Sequence, residues 1–168
     1  MKRSLKLVII VFLQVIFLFS MIGFKNFTMY TGTPVLLKTS PVDPWDIFRG
    51  EYVSLSYEIS RLESSKIKDN IAKKGSAGSK LAYVVLEKKE KYWDAVSISQ
   101  SKPVLSNGQV YIKGRVMYYD GKAYNLTYGI ESYYVPEGEG VKLERQASLD
   151  ILVRVDRFGN SVIERLVK

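Results

Sequence analysis

Four charged side chains lie within nine residues of one another: Asp43, Asp46, Arg49 and Glu51. Carboxylates at this spacing can accept backbone N–H bonds in turns, pair with a guanidinium, or bind a hard cation. A calcium-type site needs about six to eight oxygen ligands, which is more than this segment supplies. The sequence therefore predicts a polar loop here, with no metal or cofactor assigned.

An alternating run follows the charged cluster directly. From Tyr52 to Ser60 apolar and polar residues alternate, as in a strand with one buried face. The alternation predicts that Leu55 and Tyr57 face a core and that Tyr52 opens onto the other side. Gly50 permits a tight entry into this strand.

The same residues carry a family resemblance. Gly50, Tyr52, Leu55 and Tyr57 match the glycine, first tyrosine, leucine and last tyrosine of the motif that names the bacterial GDYXXLXY family. Glu51 replaces the aspartate of the name, which keeps the carboxylate but lengthens its reach. The resemblance implies an N-terminal membrane segment and an exported domain, often encoded beside, or fused to, a multi-spanning membrane protein. It implies no activity and no catalytic residue.

A second block, residues 128–140, is similar to another part of the same family and contains Glu131 and Glu137. One interpretation is a solvated, glycine-rich loop. The other is that one of these glutamates pairs with Arg49 and ties the two blocks together. The resemblance extends over most of residues 33–168.

Three interpretations of the motif region stay open. The first is a turn-and-strand signature of the fold. The second is a polar rim that contacts a partner through Asp43, Asp46, Arg49 and Glu51. The third is a hard-cation site, which the shortage of ligands disfavours.

Histidine and cysteine are both missing from the 168 residues. This excludes disulfides, thiolate metal sites, cysteine nucleophiles and the usual general base. No nucleophile motif is recognisable, so we expect no enzyme. A hydrolase with a Ser/Lys or paired-carboxylate site is the third-ranked alternative.

The N-terminus predicts a membrane anchor. Residues 1–6 contain three basic side chains, and residues 7–24 are almost entirely apolar. A helix over 7–24 would be about 27 Å long, close to the hydrocarbon thickness of a bilayer. The charge asymmetry places residues 1–6 in the cytoplasm. The end of the segment contains no Ala-x-Ala-like cleavage site, which favours an uncleaved signal anchor over a signal peptide.

The remainder predicts a mainly β domain over residues 33–168, after a linker at 25–32. Its fold would be an antiparallel meander, a small barrel-like sheet or a sandwich. Residues 61–80, rich in lysine and serine, predict a flexible loop or a short helix. Strands are predicted over 52–60, 81–87, 92–100, 109–119, 123–130, 149–156 and 161–167.

Turn residues predict three hairpins. Asn107-Gly108 and Asp120-Gly121 suit type I′ turns, and residues 157–160 separate the last two strands. In the strand over 92–100, alternation predicts that Tyr92, Val96 and Ile98 share a face.

The net charge is +8. Three of these charges precede the apolar segment, which leaves about +5 on the exported part. Export excludes nucleic acid as a partner. The sequence thus predicts a single-pass membrane protein of the bacterial cell envelope. Its extracytoplasmic domain would be a non-catalytic accessory module for a multi-spanning membrane protein. The alternative is a module that binds an anionic envelope polymer.

Overall fold

A long apolar helix leads into a mostly β domain. The computed structural model describes residues 3–40, 52–66, 80–134 and 150–167. The helix, α1, spans Arg3–Thr31, and its stretch Leu5–Thr31 is long and apolar enough to cross a membrane, with a mean hydropathy of 2.8. The helix is longer than predicted because it continues through residues 25–31, which were expected to be a linker.

The described residues form eleven strands and two short 3-10 turns. The strands are β1 (Thr33–Ser40), β2 (Tyr52–Ser54), β3 (Ser56–Tyr57), β4 (Arg61–Glu63), β5 (Lys80–Lys89), β6 (Tyr92–Ser99), β7 (Gln109–Tyr119), β8 (Ala123–Thr127), β9 (Ser132–Tyr134), β10 (Asp150–Val155) and β11 (Ser161–Val167). The 3-10 turns are Glu58–Ser60 and Ser64–Lys66.

All strand pairs are antiparallel within the described part of the chain. One sheet has the order β11-β10-β1-β3, a second has the order β4-β8-β7-β5-β6, and β2 pairs with β9 alone. Strand β1 lies against β6, and β10 contacts β7, so the sheets enclose one core as a nearly closed barrel. The predicted mainly β fold is confirmed.

Alternate residues of the strands fill this core. On β1 and β10, for example, Val35, Leu37, Ile151 and Val153 are completely buried. The register pairs Val35 with Val153 and Leu37 with Ile151, so these side chains meet on the inner face.

The single strand predicted over 52–60 is wrong, although its buried face is correct. The backbone pairs first with β9, then with β1, and after a 3-10 turn with β8. Leu55, Tyr57 and Ile59 are buried all along. This segment therefore joins the sheets at a corner of the barrel. In place of the start of the loop or helix predicted over 61–80, the structure has β4 and the 3-10 turn at 64–66. Residues 67–79 lie outside the described ranges.

A β-bulge corrects the predicted face of β6. Val85 pairs with Ser97 whereas Leu86 pairs with Ala95, so Val96 is the extra residue. At the bulge, the side that faces the core changes from odd-numbered to even-numbered residues. Ala95 and Ile98 are buried, instead of Val96 and Ile98.

The predicted hairpin at Asn107-Gly108 is also wrong. A turn forms, with the Gln109 N–H donating to the Ser106 carbonyl at 3.2 Å, but β7 pairs with β5 and β8 and not with β6. At Asp120-Gly121 the hairpin is confirmed. Only the glycine of each dipeptide has positive φ, so neither turn is type I′. The last hairpin, β10–β11, is confirmed.

Gly159 in the β10–β11 turn tolerates no side chain. Its φ is +79°, and an added Cβ would lie 2.5 Å from Tyr111 Cε2. Gly121 has φ +92° with open space around it. We expect Gly121→Ala to cost about 1 kcal/mol from backbone strain alone, and Gly159→Ala to cost more because the ring must also move. Urea unfolding of the full-length protein in mild detergent measures both, and equal costs would contradict the close contact.

Candidate functional site

Two buried tyrosines exchange hydrogen bonds between the motif and the second block. The Tyr57 hydroxyl donates to the Ile130 carbonyl at 2.6 Å, and the Tyr128 hydroxyl donates to the Ile59 carbonyl at 2.5 Å. Tyr57 is 1% exposed and Tyr128 is 7% exposed. Each ring thus spans the core and satisfies a carbonyl of the other segment, where water does not reach it. We call these two bonds the tyrosine exchange.

Backbone contacts continue the connection. The Leu55 N–H donates to the Glu131 carbonyl at 2.7 Å, and β2 pairs with β9 so that Tyr52 lies opposite Tyr134. Leu55 itself is buried in the core. The motif residues Leu55 and Tyr57 therefore face the core as predicted.

The Glu131 carboxylate closes its own turn. Its two oxygens accept the N–H groups of Tyr128 and Gly129, the second at 2.9 Å. Gly129 has φ +79°, which suits this tight reversal. Neutral hydrogen bonds tie the two blocks together. Whether Arg49 also pairs with Glu131 lies outside the described residues.

Burial and the nearby Glu131 charge raise the pKa of both Tyr57 and Tyr128 well above the ordinary value of 10.0. Burial is the larger cause, because a phenolate in the core would lose its hydration. Both hydroxyls therefore remain neutral donors at every physiological pH.

The other predicted site residues are outside the described ranges. These are Asp43, Asp46, Arg49, Gly50, Glu51 and Glu137. Within the described ranges, no group of three or more acidic side chains is placed to hold a metal ion.

A second constellation, which the sequence analysis missed, joins α1 to the barrel. Asp156 is 4% exposed, and its Oδ2 accepts the Thr28 hydroxyl at 2.8 Å and the Asn160 side-chain amide at 2.9 Å. Its Oδ1 accepts the N–H groups of Phe158 and Asn160, both at 2.9 Å. Thr28 is 1% exposed. We call this set, Thr28 with Asp156 and Asn160, the helix joint.

Strand β7 supports the joint from the other side. The Tyr111 hydroxyl donates to the Arg157 carbonyl at 2.8 Å, and the Lys113 N–H donates to the Gly159 carbonyl at 2.8 Å. Lys113 Nζ also donates to Asn160 Oδ1 at 3.3 Å. The helix end, the β10–β11 turn and β7 thus form one hydrogen-bonded unit. A local signal was present in the sequence, since an aspartate shortly before Gly-Asn is typical of a side-chain-capped turn.

Opposing effects act on the pKa of Asp156. Burial raises it, but the hydrogen bonds from Asn160, Thr28 and the backbone outweigh burial, so the net pKa lies below the ordinary 3.8. The carboxylate is charged at neutral pH and fully engaged by donors.

A groove of about 480 Å³ opens between β5, β6 and the loop over 101–109. Gln109 lies in its lining, donates to Glu87 Oε2 at 2.9 Å and accepts the Ser106 N–H at 3.0 Å. These polar groups are engaged with one another.

The tyrosine exchange predicts alkaline sensitivity. Above about pH 10 the tyrosines of the unfolded chain ionise while the buried ones resist, so stability is present below pH 10 and falls as pH rises. We expect Tyr57→Phe and Tyr128→Phe to cost about 1–3 kcal/mol at neutral pH by leaving a buried carbonyl unpaired. Both variants should lose less stability than wild type between about pH 9 and 11. Tyr118→Phe, at a 60% exposed position, is the control in urea unfolding. Parallel pH curves for all four proteins would contradict the assignment.

The helix joint predicts the opposite pH response. A lowered folded pKa stabilises the protein above the ordinary pKa of 3.8, and this stability is lost as pH falls through the lowered value. Asp156→Asn places an amide N–H against that of Asn160 and should cost about 1–3 kcal/mol at neutral pH. Its acid-induced loss of stability should be smaller than that of wild type. Asp94→Asn, which breaks only an exposed pair with Lys89, is the control. An equal effect of the two variants would refute the special role of Asp156.

Comparison with known proteins gives one match. The sequence model of the GDYXXLXY protein family covers residues 14–166, nearly the whole chain. No curated protein and no solved structure matches. The matched range includes the tyrosine exchange, the helix joint and most of the apolar helix. The chain therefore belongs to the GDYXXLXY family.

Proposed function

We propose that this protein is a single-pass membrane protein whose β domain is a non-catalytic accessory module for a multi-spanning membrane protein. The observation that carries the proposal is the helix joint. An unbroken helix runs from the apolar segment into the domain, and its buried Thr28 is bonded to Asp156. This joint would hold the domain against one end of a membrane span, where it can meet the exposed loops of a membrane protein.

The continuity of α1 supports an anchor over a cleaved leader. The helix passes without a break through residues 20–24 and ends at Thr31. A cleavage site is expected at an Ala-x-Ala-like pair of small residues after a short apolar core. Here the apolar core is long, and the small residues Ser20 and Gly23 do not form such a pair. The three basic side chains in residues 1–6 support a cytoplasmic N-terminus and an extracytoplasmic β domain.

The burial of Leu55 and Tyr57 limits which residues of the motif region can contact a partner. Leu55 and Tyr57 are buried and hold the fold, so they are not available to a partner. The charged residues before them, Asp43, Arg49 and Glu51 among others, are the candidates for contact. Charged groups at an interface set partner choice and orientation more than bulk affinity.

The alternative is a module that binds an anionic envelope polymer, and the net charge of about +5 on the exported part favours it. Such binding would depend on the charge of the polymer more than on its chemical structure, and salt would weaken it strongly.

Co-purification tests the accessory role. Full-length tagged protein is solubilised in mild detergent, and its companions are identified by mass spectrometry. We expect one stoichiometric multi-spanning protein. We expect Arg49→Ala and Glu51→Ala to reduce its recovery, whereas Glu58→Ala, which removes only an exposed pair with Lys38, should not.

Recovery of intact protein without such a companion would refute stable partnership. Salt-sensitive retention of the full-length protein on cell-wall material would then support the polymer-binding alternative. Retention that does not change with salt would count against that alternative too.

A further inference from the structure

The depth of the helix joint in a membrane follows from the sequence of α1. The apolar run ends at Phe24, and Lys25 is the first charged residue after it. Thr28 lies four residues beyond Phe24, which is about 6 Å along the helix axis. The headgroup layer on each side of a bilayer is about 5–8 Å thick. If α1 spans a bilayer, Thr28 and the Asp156 bonded to it lie within that layer.

The β10–β11 turn lies at the same level. The Phe158 N–H donates to the same Asp156 carboxylate that accepts the Thr28 hydroxyl. The turn therefore lies close to Thr28 and at a similar depth. Yet the Phe158 ring is 42% exposed, in a turn whose backbone is held by β7. Tyr30, in the last turn of α1, is 85% exposed. Tyrosine and tryptophan are the usual interfacial anchors of membrane proteins, and phenylalanine is common on the membrane-facing side of interfacial segments.

Two basic side chains, Arg157 and Lys102, lie at or near the Phe158 turn. The exposed Arg157 lies with its guanidinium carbon 4.9 Å from the Phe158 ring centroid. Lys102 Nζ is 5.7 Å from the Tyr111 ring centroid, and the Tyr111 hydroxyl is bonded to the Arg157 carbonyl. The carboxylate of Asp156, the residue before Arg157, is engaged by four internal donors. Arg157 therefore brings a positive charge to the exposed side of this turn.

We propose that the Arg157-Phe158 turn is a second membrane contact, in which Phe158 enters the interfacial layer and Arg157 binds the phosphates of anionic lipids. The inference rests on membrane insertion of α1, which is part of the proposed function, but it needs no protein partner. The contact and the helix together would fix the tilt and rotation of the barrel on the membrane, because two points of attachment leave far less freedom than one.

Spin labelling tests this contact in the full-length protein. The chain contains no cysteine, so a single introduced cysteine gives one labelled site. Labels are placed at Phe158→Cys, at Phe17→Cys in the middle of the apolar run, and at Lys38→Cys. Lys38 is five residues along β1 from Thr33, which places it about 17 Å from the start of the strand. Collision with oxygen and with a water-soluble nickel complex is measured in nanodiscs of phosphatidylcholine with and without phosphatidylglycerol.

We expect the label at 158 to read a depth between those at 17 and 38. Nickel accessibility at 158 equal to that at 38, with the label at 17 buried in lipid, would overturn the second contact while leaving the anchor intact. A label at 17 that is accessible to nickel would instead refute insertion, and with it the basis of both proposals.

Lipid charge separates the contribution of Arg157. A basic side chain near an anionic surface contributes about 1 kcal/mol, which is about a fivefold change in the ratio of inserted to free turn. We expect phosphatidylglycerol to increase the depth at 158 and Arg157→Gln to remove most of this increase. A matched Arg61→Gln change, in β4 away from the joint, should leave it unchanged. A depth independent of lipid charge would refute phosphate binding by Arg157.

Discussion

The tyrosine exchange is the constraint on which the barrel depends. Two phenol hydroxyls, on Tyr57 and Tyr128, reach across the core to carbonyls in each other's segments, and neither carbonyl has water as a substitute. The segment around Tyr57 passes from one sheet to the other within a few residues, so its backbone cannot rely on one continuous ladder. Where the ladder of backbone hydrogen bonds is interrupted, tyrosine hydroxyls donate to the carbonyls instead. The last tyrosine and the leucine of the family motif, Tyr57 and Leu55, thus have a structural explanation. Tyr57 donates one of the two hydrogen bonds, and Leu55 fills the core beside it.

Much of the fold could be predicted from the sequence. The strand Gln109–Tyr119, the hairpins on either side of Asp120-Gly121 and of residues 157–160, and the burial of Leu55 and Tyr57 all follow from local alternation and turn residues. What failed depended on distant partners. Asn107-Gly108 forms a turn, but which strands pair is decided by the sheet and not by the turn. Val96 lost its predicted place in the core because a bulge, set by the pairing with β5, changed the parity of the strand.

The candidate sites show the same limit. Tyr57 could be recognised as buried, but the carbonyl that accepts its hydrogen bond is 73 residues away. No local sequence pattern identifies that acceptor. Thr28 was assigned to a linker because the apolar run ends before it, and Asp156 was assigned to the end of the strand predicted over 149–156. Only their contact makes them a joint. The joint in turn gives the apolar helix and the barrel a fixed relation, which a freely jointed linker would not. In the proposed membrane orientation, it would bring an aromatic and a basic side chain to headgroup depth.

The same joint orders the events of folding. Thr28 and Asp156 are separated by 128 residues, and β1, the first strand after the helix, pairs along most of its length with β10 near the end of the chain. Contacts of such long sequence separation form late, because a large loop must close first. In the proposed topology, the first strand to emerge beyond the membrane would therefore wait, with its edges open, until the last hairpin has followed it across. During that interval the growing domain would be tethered to the bilayer but not yet aligned with it, so that the barrel would close and acquire its orientation in one event.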